Sequence, residues 1–250
     1  MLRLANYQKA WKTFVDGGQK DGFPLKSPLP QQRPAAYYPD LESRLVHDRE
    51  RFPWMAPLEA AYPKIRAELE ALLEAETGFL RVYQDYTDQG HWAGCYFYIF
   101  GKAVEANCQR CPETARALRA IPGVVECGTS LFSALAPGTR VAPHCGNTNA
   151  KLRCQFPLVV PENCGLQVAD RHIEQKEGQA FVFDDSFVHS AWNLSDRPRF
   201  VLLFDIEHPD LVSEERDFLR QTASETHQDG YYWDFIRNGQ PANWVFGSPV

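Results

Sequence analysis

Apolar residues recur along this chain with two periods. Tyr7, Trp11, Phe14 and Val15 share one face at helical spacing, and Gly17-Gly18 stops the pattern. Leu58, Tyr62, Ile65, Leu69 and Leu72 repeat that spacing, and Glu and Arg fill the opposite face. They predict a helix over 57–76 packed outside a sheet, with Pro63 fitting a first turn better than a helix middle. Short helices are expected over 112–120, led by Pro112, and from Ser213, where Glu214 and Glu215 suit the helix dipole. Between 127 and 208 the pattern changes to short β-branched and aromatic runs. Strands are expected at 130–135, 152–160, 166–168, 180–183 and 200–206. Pro137-Gly138, Cys164-Gly165, Glu177-Gly178 and Asp196-Arg197-Pro198 punctuate them. Many short strands with tight turns predict a mainly β sandwich or jelly-roll barrel rather than an α/β layer fold.

Residues 22–55 are rich in proline and aromatics without a period, which predicts an irregular arm wrapped over the body. The tail carries Tyr231, Tyr232, Trp233, Phe235, Trp244 and Phe246. So aromatic a tail is expected to pack on the body, cap the barrel or join a second subunit. No repeat or low-complexity linker breaks the chain, so one domain is expected. It divides into a helical and irregular part over about 1–125, a core over about 126–210 and an extension over 211–250.

Composition narrows the function classes. The 250 residues are 44% hydrophobic and 23% charged, an ordinary globular balance. A net charge of -6 gives no electrostatic reason to bind nucleic acid or an anionic membrane. The opening MLRLANYQKAWKTF holds no apolar stretch of leader length, and no run of about 20 apolar residues occurs. A cytoplasmic location without a membrane span is therefore expected. Seven scattered cysteines fit reduced thiols better than a disulfide framework. Cys108-x-x-Cys111 lacks the second ligand pair of a zinc site and a thioredoxin-like setting.

Candidate chemistry centres on His144, just past the Pro-Gly turn, and His189, placed at the end of a strand. In a jelly roll, distant residues meet at the barrel mouth. Two neutral imidazoles there would suit Fe(II) or a similar divalent ion, while two structural histidines are the plainer reading. Arg199 follows His189 by ten residues, at the head of the apolar run 200–204. A guanidinium entering a buried strand calls for an anionic partner, and its fork suits a carboxylate. The usual facial triad adds His-x-Asp or His-x-Glu, but here the sequence is His144-Cys145-Gly146, and Gly146 has no side chain to offer. Asp184 and Asp185 are candidates to orient His189, and the side chain of Cys145 is expected to point away from the face of His144.

The segments PGTRVAPHCGNTNAKLR, FVFDDSFVHSAWN, LLFDIEHPDL and RFPWMAPLEAAYPKIRAEL closely resemble the aspartyl/asparaginyl β-hydroxylase family, over roughly residues 37 to 211. The resemblance implies a double-stranded β-helix (jelly-roll, cupin-like) core with flanking α-helices. It also implies Fe(II), the cosubstrate 2-oxoglutarate and O2. By it, His144 and His189 bind iron, with water in the third place. Arg199 and Ser133 hold the distal carboxylate of 2-oxoglutarate, and Arg153 lies near its iron-side carboxylate. Trp92 flanks the pocket and Lys151 faces substrate. Gln155 is a departure, because the family carries histidine there. The family name implies hydroxylation at the β-carbon of an Asp- or Asn-like amino acid, free, carrier-bound or in a peptide. Lys151 and Arg153 would then supply positive charge for its carboxylate. A halogenase using the same two-histidine iron and a non-catalytic jelly-roll binding module are the alternative readings.

Overall fold

A computed structural model describes residues 2–17, 22–82, 86–226 and 229–246; the side chains of 223–232, Tyr231 and Tyr232 among them, lie outside the described residues, as does Gly18. In chain order the elements are α1 (Leu2–Asp16), α2 (Met55–Ala60), α3 (Tyr62–Glu74), β1 (Leu80–Arg81), β2 (Thr87–Gln89), β3 (Trp92–Ile99) and β4 (Lys102–Ala103). There follow α4 (Glu105–Arg110), α5 (Pro112–Arg119), α6 (Val124–Cys127), β5 (Thr129–Leu135), β6 (Thr139–His144), β7 (Lys151–Val159), β8 (Cys164–Val168) and β9 (Arg171–Ile173). The chain continues through β10 (Phe181–Phe183), β11 (His189–Asn193), β12 (Arg199–Glu207), α7 (Ser213–Thr226) and α8 (Asp229–Asn238).

The strands form two antiparallel sheets. The major one runs β1-β3-β5-β12-β7-β10, with β4 pairing β3; the minor one runs β2-β6-β11-β8-β9. This is the double-stranded β-helix with flanking helices. The 57–76 helix breaks into α2 and α3, and Pro63 sits in the first turn of α3, where its missing N–H costs no hydrogen bond. Strands also begin earlier than the pattern suggested. Trp92–Ile99 is a long strand of the major sheet, yet its WAGCYFYI sequence shows no polar alternation because it is buried almost throughout.

Alternation along the central strands divides the major sheet into two faces. Phe132, Leu152, Cys154, Phe156, Leu202 and Phe204 pack against Ile65, Leu69 and Leu72 of α3 and Leu118 of α5, forming the main core. The intervening residues, Ser133, Arg153, Gln155, Arg199 and Leu203, turn the other way and line a cavity. From the tail, Trp244 joins the main core, and Phe235 of α8 packs on Tyr96, Leu131 and Leu203.

The arm straps together the loops that carry the histidines. Arg33 N donates to Ser186 O at 2.9 Å and Ala36 N to Asn147 O at 2.8 Å. Tyr38 N donates to Asn149 Oδ1 at 2.7 Å, and Asn149 Nδ2 donates to Tyr38 O at 2.8 Å.

Candidate active site

β6 and β11 are neighbours in the minor sheet, and their register sets His189 directly opposite His144. The ring centroids are 4.2 Å apart. His189 begins β11 rather than ending a strand, because the 184–188 turn separates it from β10. Each Nδ1 lies beside the carbonyl two residues back: Ala142 O at 2.8 Å for His144, Phe187 O at 2.9 Å for His189. A carbonyl only accepts, so each Nδ1 is protonated and each Nε2 keeps its lone pair. Burial lowers both histidines' affinity for a second proton, that of His189 to about 3. Both are therefore neutral near pH 7, the form a metal needs. The Tyr86 ring stacks on His144 at 4.7 Å. The His189 ring is held by the Phe187 carbonyl and also bonds the backbone of Asp185.

Among the described residues no group of three His, Cys, Asp or Glu side chains is arranged to hold an ion. A Cβ on Gly146 would overlap the carboxylate of Asp185. That carboxylate is fully buried and, among the described residues, neither oxygen accepts a hydrogen bond, although Arg153 Nε stands 3.3 Å away. Burial raises its pKa against the pull of Arg153 and Lys151. Asp184, by contrast, is bonded to Ser186 N and Gln32 Nε2, both at 3.0 Å, and serves as a brace for the turn. Cys145 lines the outer cleft beside His144.

Behind the histidines lies an inner compartment lined by Trp92, Ser133, Arg153, Gln155 and Arg199 among others. Val201 pairs with Ser133 across β5 and β12, so Arg199, two residues earlier, shares its face. Arg199 is 2% exposed, and no described carboxylate lies within ion-pair distance of it. Its Nε donates to Gln175 Oε1 at 2.9 Å and its Nη2 to Gln155 Oε1 at 2.8 Å. Burial lowers its pKa to about 10, so it stays charged near pH 7. Trp92 Nε1 donates to Ser133 Oγ at 2.9 Å. A buried guanidinium whose partners among the described residues are neutral amides is costly without an anion.

Lys151 and Arg153 line the outer cleft, where their charges meet internal partners. Lys151 Nζ is 2.8 Å and Arg153 Nη2 2.9 Å from Asp205. Burial alone would raise Asp205, but these two cations hold it far below the usual carboxylate range. Lys151, Asp205, Arg153 and Asp185 thus alternate in sign along one wall. Cys108 and Cys111 are buried in the main core as free thiols, and His208 is a structural residue bonded to Glu42 O at 3.0 Å. Sequence reasoning missed Asp205, Gln175 and Tyr86. Asp205 had left a signal, a second charge on the same face of an apolar strand as Arg199. Gln175 left none, lying in the polar run Glu174-Gln175-Lys176.

The sequence profile of the aspartyl/asparaginyl β-hydroxylase family matches residues 59–209, a span that holds Ser133, His144, His189 and Arg199. An ornithine lipid ester-linked acyl 2-hydroxylase of Rhizobium tropici is 35% identical over 182 residues, covering 69% of this chain and 63% of that protein. The human aspartyl/asparaginyl β-hydroxylase is 31% identical over 179 residues, covering 66% of this chain and 24% of that protein. The chain therefore spans less than two thirds of either relative's length. A solved 2OG-Fe(II) oxygenase family oxidoreductase from Burkholderia pseudomallei aligns with TM-score 0.40 and 13% identity, over 62% of this chain and 91% of that one.

Proposed function

Because the chain belongs to the aspartyl/asparaginyl β-hydroxylase family, we propose that it is a 2-oxoglutarate-dependent non-haem iron hydroxylase. Its substrate in this reading is an Asp- or Asn-like amino acid, free, carrier-bound or in a peptide, attacked at an unactivated C–H of the β-carbon. One observation carries the reading. Two neutral imidazoles, their Nδ1 atoms held by backbone carbonyls, stand opposite each other in the same compartment as a buried guanidinium with no carboxylate at ion-pair distance among the described residues.

These residues fit the group the family implies. His144 and His189 would hold Fe(II) through Nε2, with Nδ1 fixed by backbone carbonyls. Asp185, whose two oxygens have no donor among the described residues, would accept from water completing the ion's shell. Arg199 and Ser133 would take the distal carboxylate of 2-oxoglutarate, and Trp92 holds the Ser133 hydroxyl in place. Arg153 supplies positive charge beside the histidines, for the carboxylate at the metal end, and Gln155 steadies Arg199. Together, bound Fe(II), 2-oxoglutarate and O2 supply an oxidant that replaces C–H by C–OH, with succinate and CO2 as co-products. The protein's part is to orient these groups and keep the reacting end away from water. Lys151 faces the outer cleft for substrate, its charge shared with Asp205.

Halogenation at the same iron needs chloride near the place a triad carboxylate would take. The Asp185 carboxylate fills the space beside Gly146 there, leaving less room for chloride, which favours hydroxylation. No described helix is long and apolar enough to cross a membrane. The test is a screen of amino acids, short peptides and carrier-bound amino acids for substrate-stimulated succinate release. The name of the Rhizobium tropici relative adds acyl amino acids to it. A product heavier by one oxygen, lost in His144→Ala, is expected. A chlorinated product would identify a halogenase. Absence of succinate release, with no visible absorption band on anaerobic addition of Fe(II) and 2-oxoglutarate, would leave a binding module.

A further inference from the structure

Gln175 touches neither the histidines nor the inner compartment, yet it holds the one charge at that compartment's far end. Its Oε1 accepts from Arg199 Nε at 2.9 Å, and its Nε2 donates to the same Gln155 Oε1 that accepts from Arg199 Nη2. The three side chains form a closed triangle. The described residues give Arg199 Nη1 no partner, and the guanidinium is a wall of the compartment. The loop that delivers Gln175, between β9 and β10, is itself pinned. Gly178 N donates to Pro157 O at 3.0 Å, Glu177 Oε1 accepts from Val160 N at 2.8 Å, and Tyr62 OH bonds Glu177 at 3.2 Å.

We propose that Gln175 is a positioning residue that sets the inner compartment's preference for a dicarboxylate over a monocarboxylate. The inference rests on Arg199 receiving the distal carboxylate of 2-oxoglutarate. A long arginine side chain left alone samples many rotamers, and ordering it on binding would weaken the complex. The amide triangle fixes the guanidinium beforehand, with its unbonded edge toward the ligand. The tether is also neutral. An acid at 175 would form an ion pair with Arg199 and compete with the incoming carboxylate, whereas an amide orients the charge and leaves it uncompensated.

The test compares two probes, 2-oxoglutarate and 2-oxopentanoate, in which a methyl replaces the distal carboxylate. Binding of each to the Mn(II)-loaded protein is measured by calorimetry for wild type, Gln175→Ala and Gln175→Glu. Thermal unfolding of each variant checks the fold. Wild type should prefer 2-oxoglutarate. Gln175→Ala should cut that preference about tenfold, the loss of one hydrogen bond to a charged group. The near-isosteric Gln175→Glu should cut it further, with 2-oxopentanoate binding unchanged in both. If both variants keep the wild-type preference, or weaken both probes equally, Gln175 has no such role while the reading of Arg199 stands. If wild type shows no preference, the reading of Arg199 fails and takes this inference with it.

Discussion

The Asp185 carboxylate fills the space that a side chain on Gly146 would need. Two strands that bring the histidines together also bring these residues together, and Gly146 N donates to Asp185 O at 2.6 Å. The glycine two residues past His144 therefore does more than omit a ligand. It makes room for a buried acid delivered from the other histidine's loop.

Gly146→Asp should accordingly fail to rebuild a triad. Overlap and like-charge burial should cost roughly 3 kcal/mol of stability, read from urea unfolding. Combining it with Asp185→Gly moves the acid across the gap and should recover most of that loss. A single Gly146→Asp variant as stable as wild type would contradict the packing described.

Arg199→Lys keeps the charge but loses the planar fork that meets Gln155 and Gln175. The 2-oxoglutarate requirement should rise by roughly 10–100-fold, the worth of one or two charge-assisted hydrogen bonds, and Arg199→Ala should be worse. Steady-state kinetics should show the change in the KM for 2-oxoglutarate, with the KM for the hydroxylated substrate near its wild-type value.

Asp205→Asn strips Lys151 and Arg153 of their shared counter-charge. Breaking such a buried pair should destabilise the fold by about 3 kcal/mol. The folded-state pKa of Asp205 is depressed. Its contribution is present above the unfolded carboxylate value of about 4 and disappears only in stronger acid. The gap between variant and wild type should therefore be the same at pH 5 and pH 7, measured by urea midpoint.

His47 is buried beside His208, and among the described residues neither of its ring nitrogens has a partner. Burial pushes its pKa down to about 4. The unfolded chain takes up the proton near pH 6.5, so stability is full above that value and falls as pH drops toward 4. The loss should reach about 2 kcal/mol by pH 5. His47→Phe should remove this part of the acid sensitivity at little cost near pH 7.5, because no hydrogen bond is lost. Unfolding free energies of both proteins at pH 7.5 and 5.0 decide it.

Much of the barrel was legible because β5, β7 and β12 are short runs rich in aliphatic and aromatic residues and bounded by turns, and their expected limits differ from the observed ones by at most one residue. β3 escaped because burial on both faces erased its alternation. The histidines were legible as motifs, but their direct cross-strand register depends on how two distant hairpins align. Arg199 has no carboxylate at ion-pair distance among the described residues, whereas Lys151 and Arg153, expected to supply positive charge for a substrate carboxylate, pair with Asp205 and Asp185. Nothing in the local sequence foretells that match, since Arg153 and Asp205 lie on strands that meet only in the folded sheet.

The division of β7 into Lys151, Arg153 and Gln155 on one side, and Leu152, Cys154, Phe156 and Leu158 on the other, makes its residue numbering a parity code. Odd positions can change their polar groups, and with them what the cleft accepts, without disturbing the layer against the helices. A single-residue deletion within the strand inverts the code. It would send a cysteine and a phenylalanine into the cleft and bury an arginine and a glutamine among leucines. This strand can therefore diverge by substitution but not by insertion or deletion.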